Sequence, residues 1–139
     1  MANDEQIEDF LEGLVNPSSR EHAMRASSGY VGLRNFGCTC YMNSLIQQLF
    51  MLPDFRAGIL EAPLPMQIKE DEGAKLVLRE LQRTFANLQE SCKEFYAPSG
   101  FVKAFQFYGS PINVREQQDT CEFFNVLCDY LENSSKDVA

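Results

Sequence analysis

Gly32-Leu33-Arg34-Asn35-Phe36-Gly37-Cys38-Thr39-Cys40-Tyr41-Met42-Asn43 runs directly into Ser44-Leu45-Ile46-Gln47-Gln48-Leu49-Phe50. The first part is polar and broken by glycine, whereas the second carries Leu45, Ile46, Leu49 and Phe50 at helical spacing. This pattern predicts a loop that ends at Cys40 and a helix that starts there and stops before Pro53. The first N–H groups of a helix lack partners within it, and the helix dipole is positive at that end. Such a setting favours the anionic, nucleophilic form of a cysteine. The stretch therefore reads as built to present one reactive sulfur. Asn35, five residues before Cys40, supplies a side-chain amide suited to holding an oxyanion. Removing one such donor typically costs ~10²–10³ in rate.

The surrounding chain fits a single domain or a piece of one: 139 residues, 45% of them apolar, enough for a sizeable core. A net charge of −8 argues against a nucleic-acid partner and favours a basic one. No apolar run approaches the ~18 residues of a membrane span, and Met1 opens no signal peptide. Cys38, Cys40, Cys92, Cys121 and Cys128 are an odd number without compact spacing, which predicts free thiols in a reducing compartment, cytoplasmic or nuclear.

The expected elements are mostly helical. Residues 3–15 form an amphipathic helix capped by Asn3, with Ile7, Phe10, Leu11, Leu14 and Val15 on one face, and a polar linker follows through residue 28. Residues 30–33 read as an extended entry to the Cys loop. Pro53, Gly58, Pro63, Pro65 and Gly73 make residues 53–73 a loop with at most one short turn, at 55–60. Helices follow at about 74–95, then from Ser99, which is expected to cap it, and at about 115–132. Gly109-Ser110-Pro111 is a turn between the last two, and residues 133–139 are a fraying end. Thr120, Phe123, Phe124, Leu127, Tyr130 and Leu131 share the buried face of the last helix.

Alternative chemistries are weaker. Cys38-x-Cys40 lacks the usual spacing of paired zinc thiolates and two obvious further ligands, so no metal or cofactor is expected. A disulfide between the two would close a strained, very short loop. A buried, inert cysteine is the common reading of an arbitrary thiol, and the loop, glycines and Asn35 are what set Cys40 apart. His22 is the only histidine and falls in the polar linker, so it reads as a solvated side chain rather than a base for Cys40. The second informative segment is Val114-Arg115-Glu116-Gln117-Gln118-Asp119-Thr120-Cys121-Glu122-Phe123-Phe124. Much of it is an ordinary helix start, but Gln117, Gln118 and Asp119 also form a cluster able to bind an extended peptide main chain and pair with arginines.

Together these segments resemble the ubiquitin-specific proteases, papain-like cysteine deubiquitinases. Residues 32–47 match the family's Cys box, G-L-x-N-x-G-x-T-C-Y-x-N-S-x-x-Q. Residues 117–123 match its Q-Q-D-A-x-E-F block, except that Thr120 replaces the alanine. The flavour is closest to the large fat-facets-type members. The resemblance implies a mostly α fold, the helical thumb half of a papain-like domain, over residues 29–136. Residues 1–28 would be a helix and linker, and 137–139 a tail. It implies Cys40 as nucleophile, Asn35 as oxyanion donor beside the Cys40 amide, and Gln117, Asp119 and Glu122 along the channel for the ubiquitin tail. The family's base histidine and zinc-binding fingers lie on parts this chain does not contain, and Cys38 stands where a small residue is usual. The expectation is a thiol-dependent deubiquitinase unit that is incomplete and inactive alone. The alternative is a non-catalytic module that binds ubiquitin or another partner.

Overall fold

The computed structural model describes residues 28–136. The expected helix at 3–15, the linker that follows it, His22 and the 137–139 tail lie outside the described residues. Five helices make up most of the described chain: α1 (Cys40–Phe50), α2 (Pro53–Glu61), α3 (Gly73–Glu90), α4 (Ser99–Ala104) and α5 (Thr120–Ser135). Four two-residue strands accompany them. β1 (Gly32–Leu33) pairs in parallel with β2 (Phe95–Tyr96), and β3 (Gln106–Phe107) forms a hairpin with β4 (Ser110–Pro111). The chain is thus mostly α, as its periodicity predicts.

Each long helix buries one stripe. On α1 the stripe is Met42, Ile46, Leu49 and Phe50, and on α3 it is Val77, Leu78, Leu81, Phe85 and Leu88. Helix α3 is the central element and packs against α2, α4 and α5, while α1 packs on α2 and α5. Phe123 of α5 lies within a cluster of rings formed by Tyr41, Phe101, Phe105 and Phe107, at centroid separations of 4.9–6.3 Å. Tilted and edge-to-face contacts at this range add to the burial of the rings themselves.

Four expectations are corrected. Residues 53–61 are a full helix rather than a loop: Pro53 stops α1 but also opens α2, because a proline at the first helical position loses no hydrogen bond. The carbonyls left at the end of α2 are taken by Gln82, whose Nε2 donates to Ile59 at 2.9 Å and to Ala62 at 2.8 Å. Helix α3 ends at Glu90, not 95, because Phe95–Tyr96 is drawn into the ladder with β1. Ser99 does not cap α4, since it lies inside the helix and makes no capping bond. Helix α5 begins at Thr120, not 115, with Asp119 as its cap, and continues through Ser135 rather than fraying from 133.

Smaller shifts follow the same logic. The turn is centred on Tyr108 (φ 50°) and Gly109 (φ 83°), the two-residue geometry that suits a twisted hairpin, one position earlier than expected. Phe124 and Thr120 lie outside the core, Phe124 being 39% exposed, because the buried Val126 rotates the stripe of α5 away from them. This separates two adjacent phenylalanines energetically. Phe123→Ala is expected to cost about 3–5 kcal/mol, and Phe124→Ala less than about 1 kcal/mol. Urea denaturation checks both, and equal losses would contradict the packing described.

Candidate active site

The loop that precedes Cys40 is held at five points. Phe36 is completely buried and anchors its centre. Upstream, Gly32 and Arg34 donate to the carbonyls of Glu94 and Tyr96 at 2.8 and 2.9 Å. From α1, Asn43 Nδ2 donates to the Arg34 carbonyl (3.0 Å), and Gln47 Nε2 to that of Val31 (3.1 Å). Asn43 and Gln47 are four residues apart and so share a helix face, which returns to the strand leading into the loop. Downstream, Cys38 N–H donates to the Val114 carbonyl at 2.7 Å. That approach requires Gly37: its φ is +110°, and a Cβ there would lie 2.6 Å from the Val114 oxygen.

Thr39 sits at the hub of the loop. Although it occupies the cap position of α1, its side chain makes no capping bond. Instead the fully buried hydroxyl accepts from Phe36 N–H at 3.0 Å and donates to Asn35 Oδ1 at 3.1 Å. The Thr39 N–H donates to the same Oδ1 at 3.2 Å. Two donors on one oxygen fix which way the Asn35 amide faces. With the oxygen committed to Thr39, the NH₂ of this exposed residue is the end left to donate.

Cys40 is the first residue of α1 and is exposed. Its Sγ lies 3.2 Å from Nε2 and 3.4 Å from Oε1 of Gln117, a residue 77 positions away. The clasp at Val114 makes this meeting possible, because Gln117 follows three residues later on the same loop. All five cysteines are free. Burial, reinforced by Glu132 and Asp129, pushes the Cys128 thiol up. Cys38 is half-buried.

The structure thus brings Asn35, Cys40 and Gln117 to one loop-and-helix junction. Asp119 and Glu122 stand at the start of α5, where Asp119 Oδ1 accepts from Glu122 N–H at 3.0 Å. Asp119 therefore has a structural job as a helix cap. Sequence reasoning passed over Thr39, Asn43 and Gln47 as positioning residues. The available signal was a polar side chain on an apolar helix face; in the structure Asn43 is 8% exposed, its Nδ2 is bonded to Arg34, and its Oδ1 meets no partner among the described residues. An open groove of about 780 Å³ beside β1 is lined by Tyr30, Val31, Arg34, Gln47, Met51 and Phe95 but not by Cys40 or Asn35. Among the described residues, no group of three or more His, Cys, Asp or Glu could hold a metal, and no helix is long and apolar enough to cross a membrane.

A family model described as ubiquitin carboxyl-terminal hydrolase matches residues 31–138, which include every residue of this junction. The chain belongs to the ubiquitin carboxyl-terminal hydrolase family. It is similar to ubiquitin carboxyl-terminal hydrolase 24 of Homo sapiens (42% identity over 112 residues) and to ubiquitin carboxyl-terminal hydrolase puf of Drosophila melanogaster (43% over 114). It also resembles ubiquitin carboxyl-terminal hydrolase 9X of Mus musculus (38% over 152). The matches cover 81%, 82% and 81% of this chain but only 4%, 3% and 6% of those relatives. The chain thus spans a few per cent of the length of the ubiquitin carboxyl-terminal hydrolases it matches.

Two predictions test the site's construction. Thr39→Val keeps the shape of the side chain but strands the buried Phe36 N–H, which is expected to cost about 1–3 kcal/mol in urea denaturation. No loss would show that the hydroxyl is not the hub. Next to Cys40, Tyr41 is 6% exposed, and its hydroxyl meets no partner among the described residues. Burial, then the adjacent Cys40, pushes its phenol up to about 12. An unfolded tyrosine ionises near pH 10, so the folded form is favoured in full below that pH. The advantage is lost as pH rises from 10 to 12. Tyr41→Phe is therefore expected to lose less stability than the parent across that window. Parallel losses would contradict the burial of the phenol.

Proposed function

We propose that this chain carries the nucleophile and the oxyanion donors of a thiol-dependent deubiquitinase that cleaves the bond at the C-terminal glycine of ubiquitin. Cys40 is the nucleophile. Its sulfur attacks the glycine carbonyl carbon, a C–S bond forms, and the carbonyl electrons move onto oxygen. Asn35 Nδ2 and the Cys40 backbone N–H hold that oxyanion. Collapse expels the amine, which takes up a proton, and water hydrolyses the thioester. Gln117, Asp119 and Glu122 line the path of the ubiquitin tail, whose arginines suit an acidic wall.

The observation that carries this reading is the orientation of Asn35. Thr39 occupies the oxygen of its amide and leaves the donor end for a charge that exists only during reaction. Donors aimed at developing charge accelerate the chemistry, whereas donors that bind the ground state equally well do not. Exposure of Cys40 on the first turn of α1 and membership of the family support the same assignment. Residues 29–136 would form the helical thumb of a papain-like domain, with residues 1–28 ahead of it. Five free thiols suit the cytoplasm or nucleus.

One observation favours a second reading. The only histidine of the chain is His22, which the sequence places in a polar linker, so a base for Cys40 is not apparent within these 139 residues. On that basis the chain is a ubiquitin-binding or partner-binding helical module with little turnover of its own. A ubiquitin carrying a C-terminal electrophile separates the two. The catalytic assignment predicts labelling of Cys40, absent in Cys40→Ser, with Cys38, Cys92, Cys121 and Cys128 left largely unmodified. Labelling spread evenly over the five thiols would support the binding module instead. Robust hydrolysis of a ubiquitin–fluorophore substrate, lost in Cys40→Ala but unaffected in His22→Ala, would reveal a different base.

A further inference from the structure

The contact between Gln117 and Cys40 goes beyond tail binding. A carboxamide is both donor and acceptor, and here both ends lie within reach of one sulfur, Nε2 at 3.2 Å and Oε1 at 3.4 Å. A protonated thiol can donate to Oε1, and a thiolate can accept from Nε2–H. The backbone that carries the amide is also held on each side. Before it, Arg115 N–H donates to Asn113 Oδ1 at 3.0 Å, Glu116 N–H to the Asn113 carbonyl at 3.1 Å, and the Val114 carbonyl accepts from Cys38. After it, Asp119 caps α5. A segment tied at both ends has already lost its backbone freedom, so only the side-chain rotamers of Gln117 remain to be settled by the contact.

We propose that Gln117 is a positioning residue for Cys40: in the resting chain its amide holds the sulfur in either protonation state and screens it from small electrophiles. The inference rests on Cys40 being the nucleophile. When an extended substrate main chain engages the amide, the sulfur is released toward the carbonyl that it is to attack. The same side chain thereby links arrival of the substrate to exposure of the thiol, at the cost of one exchange of hydrogen-bond partners.

The experiment is alkylation of the full chain by iodoacetamide at pH 7.5, read at each cysteine by peptide mass spectrometry. Gln117 is exposed and in a loop, so its variants are expected to fold. Gln117→Ala removes the screen and is expected to speed alkylation of Cys40 about fivefold, the worth of one modest hydrogen bond. Gln117→Glu places a carboxylate beside the sulfur, opposes the attacking thiolate and is expected to slow Cys40 about tenfold. Cys92, exposed and just beyond the end of α3, is the internal reference and should keep its rate. Opposite shifts confined to Cys40 support the proposal, because a merely loosened loop would raise both variants together. Unchanged Cys40 rates, shifts of the same sign, or Cys92 moving in step would overturn it. Failure of a ubiquitin electrophile to label Cys40 would count against the deubiquitinase assignment but would leave these rates as they are.

Discussion

One backbone hydrogen bond, from Cys38 N–H to the carbonyl of Val114, joins the two halves of the site. It exists because Gly37 has no side chain to collide with that carbonyl. In sequence the Cys loop and the segment carrying Gln117 are separated by most of the described chain. Closing so long a stretch of chain costs entropy. A single hydrogen bond repays little of that, so the balance must come from the core beneath. There Phe36 from one segment and Phe123 from the other are both completely buried. Packing brings the segments to the same place, and the clasp sets their register.

Two amides flank the junction, and each has a different partner. Asn35 is locked by a threonine that spends its hydroxyl inside the loop rather than on the helix. Gln117 rests directly against the sulfur. The first is exposed and has its oxygen fixed, which suits the proposed donor of transient charge. The second is exposed and can exchange partners. Cys40 stands on the first turn of an eleven-residue helix, whose Asn43 and Gln47 grip the strand leading into the loop. The sulfur is therefore presented by rigid elements, and no large displacement of the fold is needed to reach it.

The start of α1 was legible in the sequence because its signals are local: a glycine-broken loop, a helical apolar stripe and a proline just past the end. The same local signals mislead at Pro53, which both closes one helix and opens the next, so the sequence of a nine-residue helix reads as a loop with at most one short turn. The end of α3 was not legible, because Phe95–Tyr96 leaves the helix to pair with a strand far back in the chain. The late start of α5 belongs with it. Residues 115–118 carry helix-compatible side chains, yet the preceding turn at Asn113 and the clasp at Val114 hold them out of the helix. Among the proposed site residues, Cys40 and Asn35 are marked by short-range pattern alone. Gln117 could be marked as polar and unusual, but its contact with the sulfur is a property of tertiary packing.

The central claim is that Thr39 holds the Asn35 amide with its donor end at the mouth of the Cys40 junction. A crystal structure of this chain with Cys40 trapped as the hemithioacetal of ubiquitin C-terminal aldehyde tests it most directly, because the adduct places an oxygen where the oxyanion would form. The account predicts that oxygen at hydrogen-bond distance, about 3 Å, from Asn35 Nδ2, with Oδ1 still receiving both bonds from Thr39. An adduct oxygen facing away from residue 35, or an amide turned so that its carbonyl faces the adduct, would contradict it.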